Sequence, residues 1–216
     1  MIGKIRKKLT MTFLNRKWRK LNANNKTYIV HSLSDSLFPI DKVSVGNFTY
    51  GGLLVYTFGS NDEDLKIGNY CSIGRNVRFI LGGMHHMNTL STYPFKVHIM
   101  GGSSEAFSKG PIVIEDDVWI GNDVLILSGC TIAKGSVIAA GSVVVNSTEP
   151  YSIVGGNPAK LIRKRFDQSI IDELINLDIT EIIPEIIKSH KIDLLYTNVD
   201  LELIKEFKKC KITKQV

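Results

Sequence analysis

The sequence predicts a mainly β fold, a solenoid of short stacked sides. Three observations carry this: an unbroken six-residue period of aliphatics, small residues placed in fixed phase with it, and no competing period over the same stretch. Ile114, Ile120, Ile126, Ile132, Ile138 and Val144 fall one every six residues. Four positions after them come the smaller Val118, Val124, Cys130, Ser136 and Ser142. A helix repeats near 3.6 residues and a half-buried strand at 2, so neither produces a strict six. A hexapeptide period belongs to a β-helix, in which each unit is one flat side. The large aliphatic points inward, the smaller residue packs at a corner, and stacked coils share the core that no single coil can close.

Taken in order, residues 1–42 form a basic N-terminal capping segment. Lys4, Arg6, Lys7, Lys8, Arg16, Lys17, Arg19 and Lys20 alternate there with Ile2, Ile5, Leu9, Phe13, Trp18 and Leu21 at roughly helical spacing. Such a helix either caps the open end of the solenoid or lies on an anionic membrane surface, and capping is the preferred reading. The solenoid itself occupies 43–158. Val45-Gly46-Asn47 starts it, and Asn61-Asp62-Glu63-Asp64 reads as a loop. Ile67 and Ile73 then begin two clear hexapeptides, with Phe79 in phase. Gly68, Gly74 and Gly121 follow inward aliphatics, where a Cβ would crowd the turn.

The period stops over 82–111, a long loop carrying Gly82-Gly83, His85-His86, Ser91-Thr92-Tyr93-Pro94-Phe95 and His98. Long loops in compact domains usually carry function. Gly155-Gly156-Asn157-Pro158 ends the solenoid with a turn, and 159–216 is a C-terminal helical extension. Within it Ile170, Ile171, Leu174 and Leu177 share one helical face, which Pro184 is expected to break.

The net charge of +6 sits mostly at the two ends, and no recognition motif accompanies it, so nucleic acid is not an expected partner. No apolar run approaches the roughly 18 residues of a membrane span. Nor does an apolar segment of signal-peptide type follow the basic start. The three cysteines, Cys71, Cys130 and Cys210, are far apart, which suits reduced thiols in the cytoplasm, with the inner membrane face as a variant of that location. No Cys/His cluster has ligand spacing, so no metal is expected.

These repeats, the Gly82-Gly83-Met84-His85 run, Ser91-Thr92-Tyr93-Pro94-Phe95, Val118-Trp119-Ile120-Gly121, Ala139-Ala140-Gly141-Ser142 and Gly156-Asn157-Pro158-Ala159-Lys160 together resemble the hexapeptide-repeat acyltransferases. The nearest resemblance is to the branch with xenobiotic (chloramphenicol and streptogramin) acetyltransferases and bacterial saccharide O-acetyltransferases. It implies a left-handed parallel β-helix, a homotrimer with intersubunit active sites, and acetyl-CoA as donor. It also implies that His85 is the general base, since it follows two glycines and stands before Phe95 at the family's spacing. His86 is the alternative; His31, His98 and His190 read as surface residues.

Acetyl transfer to a hydroxyl needs such a base, because a protonated alcohol is a poor nucleophile and imidazole titrates near neutrality. Tyr93 and Phe95 either line the acceptor pocket or pin the loop to the solenoid. Trp119 precedes an inward Ile and so points outward; resemblance sets it along the coenzyme groove, and packing under the loop is the alternative. By the same resemblance Asn122 and Ala140 contact CoA, and Lys160 and Arg163 lie near its phosphates, which cations suit; a solvated basic connector is the other reading. Asn146 departs from the pattern, standing where many sugar-modifying relatives carry lysine. The expected activity is O-acetylation of a capsule- or lipopolysaccharide-type saccharide. The alternatives are O-acetylation of a xenobiotic and a silent hexapeptide scaffold.

Overall fold

A computed structural model of the chain describes the backbone of residues 2–30 and 38–212, and the side chains of 9–30 and 38–208. The readings made for His31, Cys210 and the side chains of the first eight residues lie outside the described residues. Two compact units emerge, Met1–Arg163 and Lys164–Val216.

The first unit opens with helix α1 (Ile2–Leu21) and strand β1 (Lys26–Ile29). The repeats then fold as β2 (Val43–Val45), β3 (Tyr50–Tyr56), β4 (Leu65–Ile67), β5 (Ser72–Ile73) and β6 (Arg78–Ile80). After a long loop containing helix α2 (Phe95–His98) come β7 (Ile112–Ile114), β8 (Trp119–Ile120), β9 (Leu125–Leu127), β10 (Thr131–Ile132), β11 (Val137–Ile138) and β12 (Val143–Val144). In this repeat region pairing is parallel and skips two strands: β4 to β7 to β10, β5 to β8 to β11, and β6 to β9 to β12. Three hexapeptides therefore complete one circuit. The register stacks Ile114 on Ile132, Ile120 on Ile138 and Ile126 on Val144. Ile120, Ile126, Ile132 and Ile138 are wholly buried, so the six-residue period is the period of the core.

The corners explain why sides of six can turn. Asp117, Asp123, Gly129, Gly135 and Gly141 take φ of 58°, 59°, 78°, 67° and 72°, one left-handed residue per side. Gly121 is required for a different reason: a Cβ there would come within 2.6 Å of the Ala140 nitrogen on the next coil. Polar side chains knit one corner vertically. Asn24 Nδ2 donates to Asn47 Oδ1 (2.8 Å), the Asn47 amide to Asn69 Oδ1 (2.8 Å), and the Asn69 amide to Asp116 Oδ1 (2.6 Å). Cys71 and Cys130 are buried at corners, and that burial pushes the Cys71 thiol up to about 11 and raises Cys130 in the same direction.

Neither end of the solenoid is bare. At the start, Trp18 of α1 is buried, donates its indole N–H to Thr27 Oγ1 (3.3 Å) and meets the Phe38 ring edge-on at 5.2 Å. At the other end the Thr131 and Ala133 amides donate to Ser147 Oγ and Thr148 Oγ1, both at 2.9 Å, in place of a further strand.

Three features differ from the sequence reading. β1 lies inside the segment read as a cap and pairs in parallel with β3, because Thr27 and Ile29 alternate inward against exposed Lys26 and Tyr28. The sheet also continues past residue 158: β13 (Ser152–Gly156) is followed across the Asn157-Pro158 turn by β14 (Ala159–Lys164). In the second unit Pro184 does not break the helix. α3 (Gln168–Ile175) ends earlier, and Asp178 starts α4 (Ile179–Lys188) by accepting from the Thr180 amide at 2.9 Å. Pro184 sits inside α4, where burial of Ile182 and Ile186 offsets the missing N–H. The same unit closes with α5 (Leu201–Ile212), whose Leu203, Ile204 and Phe207 are buried, and Lys208 pairs with Glu173. Among the described residues no helix is long and apolar enough to cross a membrane, and no three or more His, Cys, Asp or Glu gather as metal ligands would.

Candidate active site

The long loop leaves the solenoid after β6 and returns at β7, so it interrupts the coil between circuits without costing a side. Its two arms are tied at the base, where the Met84 and Phe107 amides and carbonyls exchange bonds of 3.0 and 3.1 Å. His86 stacks on Phe107, centroids 4.8 Å apart. That stacking gives His86 a packing role.

His85 is held differently. Its Nδ1 lies 2.7 Å from the Thr92 carbonyl oxygen. A carbonyl only accepts, so Nδ1 carries a proton, and in the neutral ring the lone pair is then on Nε2, the tautomer a base needs. The segment bearing that carbonyl is itself ordered locally. Thr89 Oγ1 donates to the Ser91 carbonyl (2.7 Å) and the Tyr93 amide donates to Ser91 Oγ (3.1 Å). Tyr93 meets Phe95 edge-to-face at 5.0 Å and His98 at 5.5 Å. The Lys96 amide, in the first turn of α2, donates to Glu105 Oε2 at 3.0 Å.

Together these residues enclose a cavity of about 500 Å³, whose lining includes His85, Leu90, Tyr93, Pro94, Phe95 and Glu105. Tyr93 and Phe95 thus both line the cavity and pin each other, and His98, exposed as read from sequence, meets the Tyr93 ring from outside that lining. His190 is exposed in the second unit.

The five residues that the resemblance assigns to a coenzyme lie elsewhere: Trp119 on β8, Asn122 and Ala140 at the corners after β8 and β11, and Lys160 and Arg163 on β14, the strands being neighbours in the order β8-β11-β13-β14. Trp119, on β8 between Ser72 and Val137, is 58% exposed, so among the described residues most of it is uncovered. The corner after β8 stacks on the corner after β11, the Gly141 amide donating to the Asn122 carbonyl at 2.8 Å, which brings Asn122 beside Ala140. Asn122 Oδ1 also accepts from the Arg75 amide at 2.8 Å, so its side chain serves the coil as well. Lys160 and Arg163 are exposed on β14. None of the five lines the loop cavity.

Sequence reasoning missed the Thr92 carbonyl, a backbone atom with no side-chain signature.

The match to the bacterial transferase hexapeptide model, of six repeats, covers residues 111–146. A probable macrolide acetyltransferase from Lysinibacillus sphaericus is 44% identical over 123 residues, 54% of this chain and 68% of that protein. The virginiamycin A acetyltransferase of Staphylococcus aureus is 40% identical over 162 residues, 72% of this chain and 73% of that one. The chain belongs to the hexapeptide-repeat acyltransferase family. It spans a smaller share, 58%, of the chloramphenicol acetyltransferase of Escherichia coli, at 41% identity. A hexapeptide-repeat-containing acetyltransferase from Vibrio cholerae, crystallised with acetyl coenzyme A, aligns with a TM-score of 0.50 and 28% identity over 69% of this chain and 74% of that one. As a hexapeptide-repeat acyltransferase the chain is an enzyme.

Proposed function

We propose that the chain transfers the acetyl group of acetyl-CoA to a hydroxyl, with His85 as general base. The observation carrying this is the Thr92 carbonyl on His85 Nδ1, which leaves Nε2 as proton acceptor within a cavity large enough for a small acceptor. His85 Nε2 takes the hydroxyl proton as the oxygen attacks the thioester carbonyl. The tetrahedral adduct then collapses, expelling the CoA thiolate, which takes that proton back from the imidazolium. The solenoid is read as a left-handed parallel β-helix and the assembly as a homotrimer, the site forming where one subunit's loop faces another's coil. The separation of the cavity from exposed Trp119 supports this, since each set of residues has half of what the reaction requires. Trp119, Asn122 and Ala140 flank the pantetheine arm, and Lys160 and Arg163 meet the phosphates.

For the acceptor, the aromatic and apolar lining at Leu90, Tyr93, Pro94 and Phe95 favours a compact, largely apolar alcohol. The antibiotic-acetylating relatives point the same way. A saccharide hydroxyl is the second reading, favoured by the edge-to-face Tyr93–Phe95 pair, on which a sugar ring can stack. The test is thiol release from acetyl-CoA with chloramphenicol, a streptogramin A, a macrolide and a panel of glycosides. Turnover of one antibiotic at over about tenfold the best glycoside's kcat/KM, some 1.4 kcal/mol, supports the first reading. The reverse ratio selects the second, and binding without any turnover points to a scaffold.

The basic helix α1 supports peripheral attachment at the cytoplasmic face of a membrane. With Trp18 buried, Leu9 and Phe13 stand outward at 66% and 65% exposure, beside exposed Arg16, Lys17 and Lys20. The protein is expected to sediment with phosphatidylglycerol vesicles and not with phosphatidylcholine vesicles. The attachment idea fails if a Leu9→Ser/Phe13→Ser variant sediments equally well, or if the variant changes oligomeric state instead.

A further inference from the structure

We propose that Glu63 is a positioning residue for the catalytic loop, acting on His85 through the loop's root. The proposal rests on His85 being the base. Glu63 is 1% exposed, and its carboxylate accepts from the Phe58 amide (3.0 and 2.9 Å), the Gly59 amide (3.3 Å) and the Ser60 amide (3.3 Å). An acceptor-only group facing three donors is matched by a carboxylate and mismatched by an amide, whose NH₂ would confront N–H groups. A buried anion of this kind is retained at a desolvation cost that only such bonding offsets.

The carboxylate touches the loop where it begins. A Cβ at Gly82 would collide with Glu63 Oε1, so chain and carboxylate are packed face to face. The Phe58 ring, set by the bonds to Glu63, lies under Gly83, where a Cβ would come within 2.9 Å of ring carbons. Gly83 has φ of 83°, a conformation that aims the following Met84 and His85. The returning arm is tied to the same seat, since Ser104 Oγ donates to the Phe58 carbonyl at 3.4 Å. Both arms of the loop therefore rest on one small turn that Glu63 holds in shape. Displacing that turn moves His85 relative to the Thr92 carbonyl and to the cavity, while the coil bearing Trp119 and Ala140 is untouched.

The experiment compares wild type with Glu63→Gln. Glu63→Gln is expected to lose about 100-fold in kcat, the order that a misplacement near 1 Å can cost. Its acetyl-CoA dissociation constant, by calorimetry, should remain within about twofold, because the donor side is separate. Long-range ¹H–¹⁵N correlation spectra should show the Nδ1–H tautomer of His85 in wild type and a mixture in the variant, a readout that general destabilisation does not move. Retention of kcat together with a wild-type tautomer overturns the proposal, as does a loss of donor binding equal to the loss of kcat. If Glu63→Gln does not fold, Phe58→Leu decides: it trims the same seat without disturbing the buried carboxylate, and an unchanged kcat and tautomer there overturn the idea. Failure of the His85 reading is distinguishable, since His85→Ala would then keep activity while the tautomer comparison still reports on Glu63.

Discussion

Replacing His85 with alanine is expected to lower acetyl transfer by about a hundred- to ten-thousand-fold, the usual contribution of a positioned base. The loss should fall on kcat, with acetyl-CoA affinity held to within about twofold, because His85 lies in the loop cavity and the exposed Trp119 wall does not. His86→Ala is the control. Its ring stacks on Phe107, so its removal loosens the base of the loop without removing the proton acceptor, and a fall of less than about tenfold is expected. Steady-state thiol release with a competent acceptor checks both. A His85→Ala enzyme of near-normal kcat beside a dead His86→Ala enzyme would reverse the assignment.

Ile126→Ala should produce a large loss of stability. Ile126 is wholly buried on β9, between Phe79 of β6 and Val144 of β12, so the cavity left behind is enclosed above and below by further coils. Truncating such a residue costs about 2–5 kcal/mol. For a chain of this size that lowers Tm by roughly 5–15 °C, measurable by circular dichroism or calorimetry. Leu125→Ala, on the same strand but half-buried, should cost far less. Equal effects at the two positions would mean that the inward-outward alternation is misassigned.

The core was legible in the sequence because its period equals the period of the structure. Each of Ile114, Ile120, Ile126 and Ile132 reports the same geometric event, the inward face of one side. Strands outside that phase were harder. β1 has only two inward residues, Thr27 and Ile29, too few for an alternation to stand out. β14 follows a Pro-containing turn that reads as an end. In α4, Asp178 outweighs the helix-breaking signal of Pro184 because a side-chain cap and two buried isoleucines act together. At the site, resemblance to the family's motif singled out His85, Tyr93 and Phe95, whereas the groups that orient them are carbonyls and amides. Thr92 contributes its backbone oxygen, which any residue at that position would supply. Glu63 was visible only as one acidic residue in a polar loop, since its burial comes from folding around it.

The final rung also bears on solubility. A parallel coil with an open last side would offer its amide row to an identical molecule, and filaments could grow by unlimited head-to-tail addition. On the β10 side Ser147 and Thr148 occupy that row with hydroxyl acceptors, at 2.9 Å each, and so close this edge to a neighbouring molecule with the protein's own residues.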